Sequence, residues 1–324
     1  MSKKGLPRMP ANQAAEYMNA LAPDGPGQRG RVVAASAADS ALAFMQRKSP
    51  ARVLHVFRDV CNLTNSTGYI LSLTLNPRQM ASFSIALDQP EWLDDFLRYL
   101  DADSHVLITA RKIELGPLEI QVDAPARWNS QPDWDYIRSG MACSSEHLDR
   151  VGAILQNRAD PESLAVCSSG WTGEQDPVLR RWWRAALDPI QALLRGLVSL
   201  DQDLVQQAAG RLAGLGPGLT PAGDDFMIGS MHAIWSLMKP GQARALCGSI
   251  CAAATPLTNV FSAAHLRAAA CGEAAAHWQT LLAALSAPGS DDLIPAVGEL
   301  LAQGHTSGQD ALSGFLLTAQ QLKA

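Results

Sequence analysis

The spacing of the apolar residues changes part of the way along this chain. Between Gly30 and Val122, short runs rich in Val, Ile, Leu and Thr are separated by turn-forming residues, a pattern typical of strands. From His147 onward, apolar residues recur every three or four positions, which indicates amphipathic helices. We therefore predict an α+β fold, in which an N-terminal, mostly antiparallel β lobe is followed by a C-terminal all-helical lobe.

The β lobe contains one clear hairpin pattern. Arg52–Val60 and Tyr69–Leu75 both have the composition of strands, and the tetrapeptide NSTG at 65–68 between them is made of turn formers. Two strands joined by such a turn pair in antiparallel fashion. A short amphipathic helix is predicted at Glu91–Leu100. The further predicted strands are Ser82–Leu87, His105–Thr109 and Leu118–Val122.

The same patterns divide the chain into three parts. We predict a loosely attached arm at 1–28, a β-rich lobe at 29–140 and a helical lobe at 141–324. Within the helical lobe, Pro189 interrupts a long apolar stripe. Because proline removes a helical hydrogen bond and collides with the preceding turn, we expect it to separate two helices.

The composition excludes several classes of protein. Hydrophobic residues make up 47% of the chain and charged residues 18%, which favours a buried core over disorder. The net charge of -5, with no basic stripe, argues against a nucleic-acid partner. We also expect no membrane segment and no secretory signal. The six cysteines form no CxxC pair, so we expect a reduced, cytoplasmic protein without a cysteine-bound metal.

The first candidate functional motif is GLGPGLTPAGDD at 214–225. Thr220 is a suitable N-cap, and Pro221 suits the first position of a helix because no partner is needed there for an N–H group. Alternate glycines, including Gly216 and Gly218, precede the threonine and permit close approach of a ligand to the main chain. A helix start presents free N–H groups and a partial positive charge, which together favour a bound anion.

A second motif, GHTSGQD at 304–310, repeats this design. Thr306 is the predicted N-cap, and Gln309 would complete a capping box. When the two threonines are aligned, a glycine lies two positions before each and an aspartate four positions after each. Gly223 and Gly308 both lie in the first helical turn, where glycine costs about 1 kcal/mol relative to alanine. We infer that something approaches both backbones closely, although ordinary helix-start preferences are the alternative explanation.

The motifs leave several kinds of chemistry open. They match neither a dinucleotide-binding fingerprint nor a phosphate-binding P-loop. Ser307 beside His305 could act as a nucleophile, but neighbouring residues at a helix start rarely point at each other. The carboxylates of Asp224, Asp225 and Asp310 either hold Mg²⁺ through waters or complement the helix dipoles. We predict no cofactor, with Mg²⁺ as the open alternative.

The two motifs together resemble a bacterial family that was long a domain of unknown function and is now named for the AllH subunit of oxamate carbamoyltransferase. GLGPGLTPAGDDF and GHTSGQDALSGF carry the resemblance, which is strongest over 200–320. In the β lobe, Phe57 and Asn62 also fit a segment of the family. Its His-Ser pair is replaced by Leu54 and His55, so no role of that pair transfers.

The resemblance implies a subunit of a complex in allantoin breakdown that transfers a carbamoyl group between oxalurate and phosphate, giving oxamate and carbamoyl phosphate. Its ligands are small anions or phosphate, and its partners are other subunits. The alternatives are a Mg²⁺-dependent hydrolase and a non-catalytic scaffold subunit. Our candidate catalytic residues are His305, Ser307 and Asp310, with His305 as the proton-transfer group. The candidate ligand-binding residues are Asn62, Gly216, Gly218, Thr220, Gly223, Asp224, Asp225, Thr306 and Gly308.

Overall fold

The computed structural model describes residues 30–47, 49–141, 144–168, 177–289 and 291–324. The predicted N-terminal arm, 1–28, lies outside them. The chain divides into two compact units, Met1–Ser130 and Gln131–Ala324, which we call the sheet unit and the helical unit. The domain boundaries drawn from the sequence stay a prediction.

The sheet unit confirms the predicted β lobe. Its strands form one sheet in the order β2-β3-β4-β5-β1-β8-β7-β6, with β9 paired to β1. Five of the strand pairs are antiparallel and three are parallel. The elements are β1(Gly30–Ala38), α1(Asp39–Met45), β2(Ala51–Val56), β3(Val60–Asn65), β4(Ile70–Thr74), β5(Ser84–Asp88), β6(Val106–Ile108), β7(Lys112–Leu115), β8(Leu118–Gln121) and β9(Ala126–Trp128).

A hairpin forms at the predicted turn, but its first strand is Val60–Asn65 and not the predicted Arg52–Val60. Strands β3 and β4 pair in antiparallel register. The side chain of Asn65 accepts hydrogen bonds from the N–H groups of Thr67 and Tyr69, both at 3.1 Å. Gly68 adopts a φ of 76°, a conformation that glycine adopts without the steric cost of a β-carbon. The turn residues recognised in the sequence therefore set the register of this pair.

Two expectations for the sheet unit were wrong, and strand β1 was missed. The run at Arg52–Val60 is not one strand, because the chain turns after Val56 with the Phe57 N–H bonded to Val60 O at 2.8 Å. The predicted helix at Glu91–Leu100 is only a 3-10 turn at Phe96–Arg98, where Asp95 accepts a hydrogen bond from Leu97 N–H. Most of its apolar residues pack into the core of the sheet unit instead, although Leu97 is exposed. Strand β1 was not predicted, since its sequence GRVVAASAA contains few strong strand formers.

The helical unit is built from ten α-helices within the described residues, with 3-10 turns at Leu164–Ser168 and Thr255–Leu257. Pro189 does not break the chain into two helices, because the helix Pro177–Ser199 continues through it. Around Pro189, buried Ala186, Ile190, Leu193 and Leu197 form a continuous apolar face, whose burial offsets the cost of the proline. The helices are α2(Trp134–Met141), α3(Ser145–Arg158), α4(Pro177–Ser199), α5(Gln202–Leu212), α6(Ala222–Leu237), α7(Pro240–Ala254), α8(Val260–Ala270), α9(Ala276–Ser286), α10(Leu293–Leu301) and α11(Ser307–Lys323).

Helices α6 and α11 form the centre of the helical unit. Most residues of both helices are buried. A β-carbon on Gly229 of α6 would overlap the carbonyl oxygen of Ala311, and one on Gly314 of α11 would overlap that of Phe226. Ser230 Oγ lies 3.3 Å from Gly314 O. The two backbones are therefore in direct contact, as small residues at a helix crossing permit.

Within the described ranges, none of the helices combines the length and the apolar character that crossing a membrane requires.

The contact between α6 and α11 makes a prediction about stability. We expect Gly229→Ala and Gly314→Ala each to lower the free energy of unfolding by at least about 2 kcal/mol, because the added methyl group overpacks a backbone contact. Gly248→Ala is the matched control. It lies on α7 with no atom near the new β-carbon, and should raise stability by about 0.5–1 kcal/mol. Urea unfolding measures all three, and a harmless Gly229→Ala would contradict the direct backbone contact.

Candidate functional site

The two predicted helix starts meet in space. Thr220 Oγ1 lies 2.7 Å from Ser307 Oγ, although the two residues are 87 positions apart in sequence. Both side chains are half-buried. The residues Thr220–Asp225 and Thr306–Asp310 therefore form one structure, which we call the paired helix start.

The threonines do not cap their helices through their side chains. Helix α6 begins at Ala222 with Pro221 in the N-cap position, so Thr220 lies one residue further out than predicted. Thr306 occupies the N-cap position of α11, as predicted, but its side chain makes no capping hydrogen bond. The hydroxyl of Thr220 instead joins the other helix start.

The predicted capping box at Thr306 was wrong as well. Gln309 Oε1 accepts hydrogen bonds from Asp160 N–H at 2.7 Å and from Ser163 Oγ at 3.1 Å. A capping box would need the same side chain to bond back to Thr306 N–H. A segment more than a hundred residues earlier has taken the acceptor, a competition that local spacing cannot reveal.

The glycines of the first turns do have close neighbours, but these are carbonyl groups of the protein. A β-carbon on Gly223 would overlap Leu212 O, and one on Gly308 would overlap Leu300 O. Both carbonyls lie at the end of the preceding helix. These glycines let each helix start pack against the end of the helix before it.

The same two glycines also use their N–H groups within the protein. Gly223 N–H donates to Leu215 O at 2.9 Å, and Gly308 N–H donates to Gln303 O at 3.1 Å. A bound ligand would have to replace these bonds, so the two glycines have a packing role that the sequence reasoning missed.

The loop before α6 is open to solvent and firmly anchored. Gly216 and Gly218 have φ values of 105° and 102°, a region that side-chain-bearing residues rarely adopt. Asn259, the N-cap of α8, donates from Nδ2 to Leu219 O at 2.9 Å. The loop thus holds a bent, partly exposed backbone beside the paired helix start.

The three aspartates of the motifs separate into two environments. Asp224 accepts a hydrogen bond from Gly214 N–H at 3.0 Å and another from the hydroxyl of Thr258. It therefore ties the loop to the start of α8. Asp310 Oδ1 accepts from Leu164 N–H at 2.5 Å. Asp225 lies beside the Asp310 carboxylate, which raises the pKa of Asp225.

All three carboxyl groups are buried, and burial is the largest cause of their raised pKa values. Burial raises the pKa of Asp225 well above its usual range and Asp310 raises it further, while the hydroxyls of Ser307 and Thr220 partly oppose this. Burial raises the pKa of Asp310 to about 7, against the lowering effects of Leu164 N–H and the Thr306 hydroxyl. The pKa of Asp224 is also raised by burial, with Thr258 and Gly214 opposing.

The remaining candidates fall in different places. His305 is exposed, and the hydroxyl of Ser307 bonds to Thr220 rather than to His305, which removes the local basis for Ser307 as a nucleophile activated by His305. Asn62 belongs to the sheet unit, where it is buried and accepts a hydrogen bond from Ser72 Oγ.

Sequence reasoning missed the elements that support the paired helix start. Thr258 and Asn259 hold Asp224 and the loop, and 160–164 holds Gln309 and Asp310. Asn259 was detectable in principle, since it is a good N-cap before an apolar helical run. The segment 160–164 carries no such local sign.

The Mg²⁺ alternative would need several carboxylates around one point. Within the part of the chain that the structure describes, no group of three or more His, Cys, Asp or Glu side chains is arranged to hold a metal ion. Asp224 is bonded to Gly214 and Thr258 instead.

The raised pKa of Asp310 makes stability depend on pH. In the folded protein the pKa of Asp310 is about 7, above its ordinary value of 3.8. The protonated carboxyl therefore stabilises the fold fully below pH 3.8, and this contribution is lost as the pH rises through about 7. Asp310→Asn cannot ionise. We expect its stability relative to the native protein to rise by on the order of 2 kcal/mol between about pH 5 and about pH 8.

Urea unfolding at the two pH values measures this difference. Asp203→Asn, which changes an exposed aspartate in the first turn of α5, is the matched control and should show no such change. A pH-independent difference between Asp310→Asn and the native protein would contradict the burial of an ionisable carboxyl.

Comparison with known proteins bears on the region that contains the paired helix start. No solved structure matches the chain. Residues 212–319 match the model of the family described as oxamate carbamoyltransferase subunit AllH, so the resemblance is confirmed over the region that contains both motifs.

Proposed function

We propose that this chain is a subunit of a carbamoyltransferase-type enzyme and that it binds a small carbamoyl-bearing anion at the paired helix start. The observation that carries the proposal is the hydrogen bond between Thr220 and Ser307. It joins two motifs that both lie in the region matched by the AllH family. A ligand bound by both motifs explains why two segments so far apart in sequence lie together.

The donors for such a ligand are the hydroxyls of Thr220, Thr306 and Ser307 and the exposed loop backbone around Gly216 and Gly218. The N-termini of α6 and α11 add a partial positive charge on the same side. Carbamoyl transfer requires the carbonyl group and the phosphate to be held in line, with donors directed at the developing negative charge. A side-chain nucleophile is not needed for that chemistry, which agrees with the bond between Ser307 and Thr220.

The buried carboxyl groups, if ionised, repel an anion. Their raised pKa values reduce this repulsion, because a protonated carboxyl carries no charge and can donate a hydrogen bond. Asp225 in particular is neutral over a wider pH range than an ordinary aspartate. The paired helix start therefore combines positive helix ends with carboxyl groups that need not be ionised.

His305 lies exposed between Gly304 and Thr306, at the rim of the paired helix start. We assign it the proton-transfer role in the assembled enzyme, where a second subunit or the substrate would cover it. The hydrolase alternative is disfavoured, since the Asp224 carboxyl accepts hydrogen bonds from Gly214 and Thr258. The scaffold alternative predicts that the chain binds no substrate-like anion.

Thermal unfolding with added ligand tests the proposal. We expect oxamate, carbamoyl phosphate or phosphate to raise the melting temperature, because a ligand at about 100 times its Kd stabilises a protein by about 2.7 kcal/mol. Thr220→Val and Ser307→Ala should reduce the shift, since each removes a hydroxyl from the paired helix start.

The matched control is Thr280→Val on α9, which removes an exposed hydroxyl that bonds within its own helix. It should leave the ligand-induced shift unchanged. If none of the three anions shifts the melting temperature of the native chain, the proposal is wrong and the scaffold alternative is favoured.

A further inference from the structure

Two carboxyl oxygens at the paired helix start have no hydrogen-bond partner among the described residues. They are Oδ2 of Asp225 and Oδ2 of Asp310. The two residues are only 6% and 1% exposed. Buried polar atoms in folded proteins are almost always hydrogen-bonded, and an unpaired one costs about 1–3 kcal/mol. Two such atoms in one place point to a missing partner.

The surroundings show what kind of partner is missing. The hydroxyls of Thr220 and Ser307 hydrogen-bond to the Asp225 carboxyl, and the hydroxyl of Thr306 hydrogen-bonds to that of Asp310, so that in each carboxyl only Oδ2 is left without a partner. The charged groups that act on the pair are acidic as well, namely Asp224 on Asp225 and Asp160 on Asp310. The partial positive charges of two helix starts disfavour a cationic ligand.

Two neighbouring buried carboxyl groups do not both ionise at neutral pH, because like charges in a poorly solvated place repel each other. Such a pair holds one proton, so that one oxygen accepts a hydrogen bond and the other donates one. A primary amide edge, –CO–NH2, presents the complementary pattern, since its nitrogen donates and its carbonyl oxygen accepts.

We propose that Oδ2 of Asp225 and Oδ2 of Asp310 together bind the carbamoyl group of the ligand, one accepting from its –NH2 and the other donating to its carbonyl oxygen. This inference rests on the proposed function, because it places the ligand at the paired helix start. The anionic end of the ligand then faces the exposed loop around Gly216 and Gly218.

The ligand reaches the carboxyl groups through the hydroxyl pair. Thr220 and Ser307 are half-buried and lie next to the Asp225 carboxyl. Their mutual hydrogen bond is exchanged for bonds to the ligand when the ligand enters. Recognition of the –NH2 group then separates carbamoyl compounds from acyl compounds of the same shape. In carbamoyl phosphate, a carboxylic acid hydrogen-bonded to the carbonyl oxygen also polarises the carbon that is transferred.

Pairs of ligands that differ only in –NH2 and –CH3 test this assignment. Pyruvate matches oxamate in shape, and acetyl phosphate matches carbamoyl phosphate, but neither methyl compound donates a hydrogen bond from that position. Calorimetric titration of the full chain should show that each carbamoyl compound binds at least about tenfold more tightly than its methyl counterpart, since the methyl group leaves a buried carboxyl oxygen unpaired.

Asp225→Asn and Asp310→Asn should each reduce this preference to within about threefold, because the pair can no longer share a proton. Asp203→Asn, on the exposed start of α5, should retain the preference of the native chain. The ligand comparison in the native chain requires no variant, so it decides the matter even if an Asn variant does not fold.

The outcomes separate this inference from the proposed function. If no ligand binds, the proposed function itself fails. If oxamate and pyruvate bind equally well, the anion site stands and the assignment of the carbamoyl group to Asp225 and Asp310 is overturned. A preference that survives in both Asn variants also overturns it, because recognition would then lie elsewhere.

Discussion

The contact between the backbones of α6 and α11 is the constraint on which the rest of the helical unit depends. At Gly229 and Gly314 there is no room for a β-carbon, so the two helices approach until main chain meets main chain. Their first turns are then close enough for Thr220 to bond Ser307. A wider separation of the helices would leave two isolated helix starts, each with its own hydroxyl and its own carboxyl group.

The paired helix start combines two electrostatic features that are usually kept apart. Helix N-termini favour negative charge, yet Asp225 and Asp310 are buried among them. Burial raises the pKa of both groups. Fewer full negative charges are therefore present at the site than two ordinary aspartates would carry. The result is a pair of buried carboxyl groups that can accept and donate hydrogen bonds, set beside backbone groups that favour an anion. That combination suits a ligand with an uncharged amide end and a charged end.

Some residues of the two motifs are needed for reasons other than those that the sequence suggested. The common spacing of Gly, Thr and Asp reflects a repeated helix–loop–helix design, and both helix starts were located within a residue or two. Gly223 and Gly308 are needed because Leu212 O and Leu300 O approach them, whereas the sequence suggested a ligand. Gln309 matches the spacing of a capping box, but Asp160 N–H competes successfully for its side chain.

The sequence by itself determined that a strand-rich region precedes a helical one, the positions of the two helix starts and the turn at Asn65–Gly68. These depend on local preferences, which act between residues a few positions apart. Only the tertiary structure decided that the starts meet, that Asp224 faces Thr258 while Asp225 lies near Asp310, and that two carboxyl oxygens remain unpaired. Such outcomes depend on which helices pack together and how closely, and that is set by contacts between residues distant in sequence.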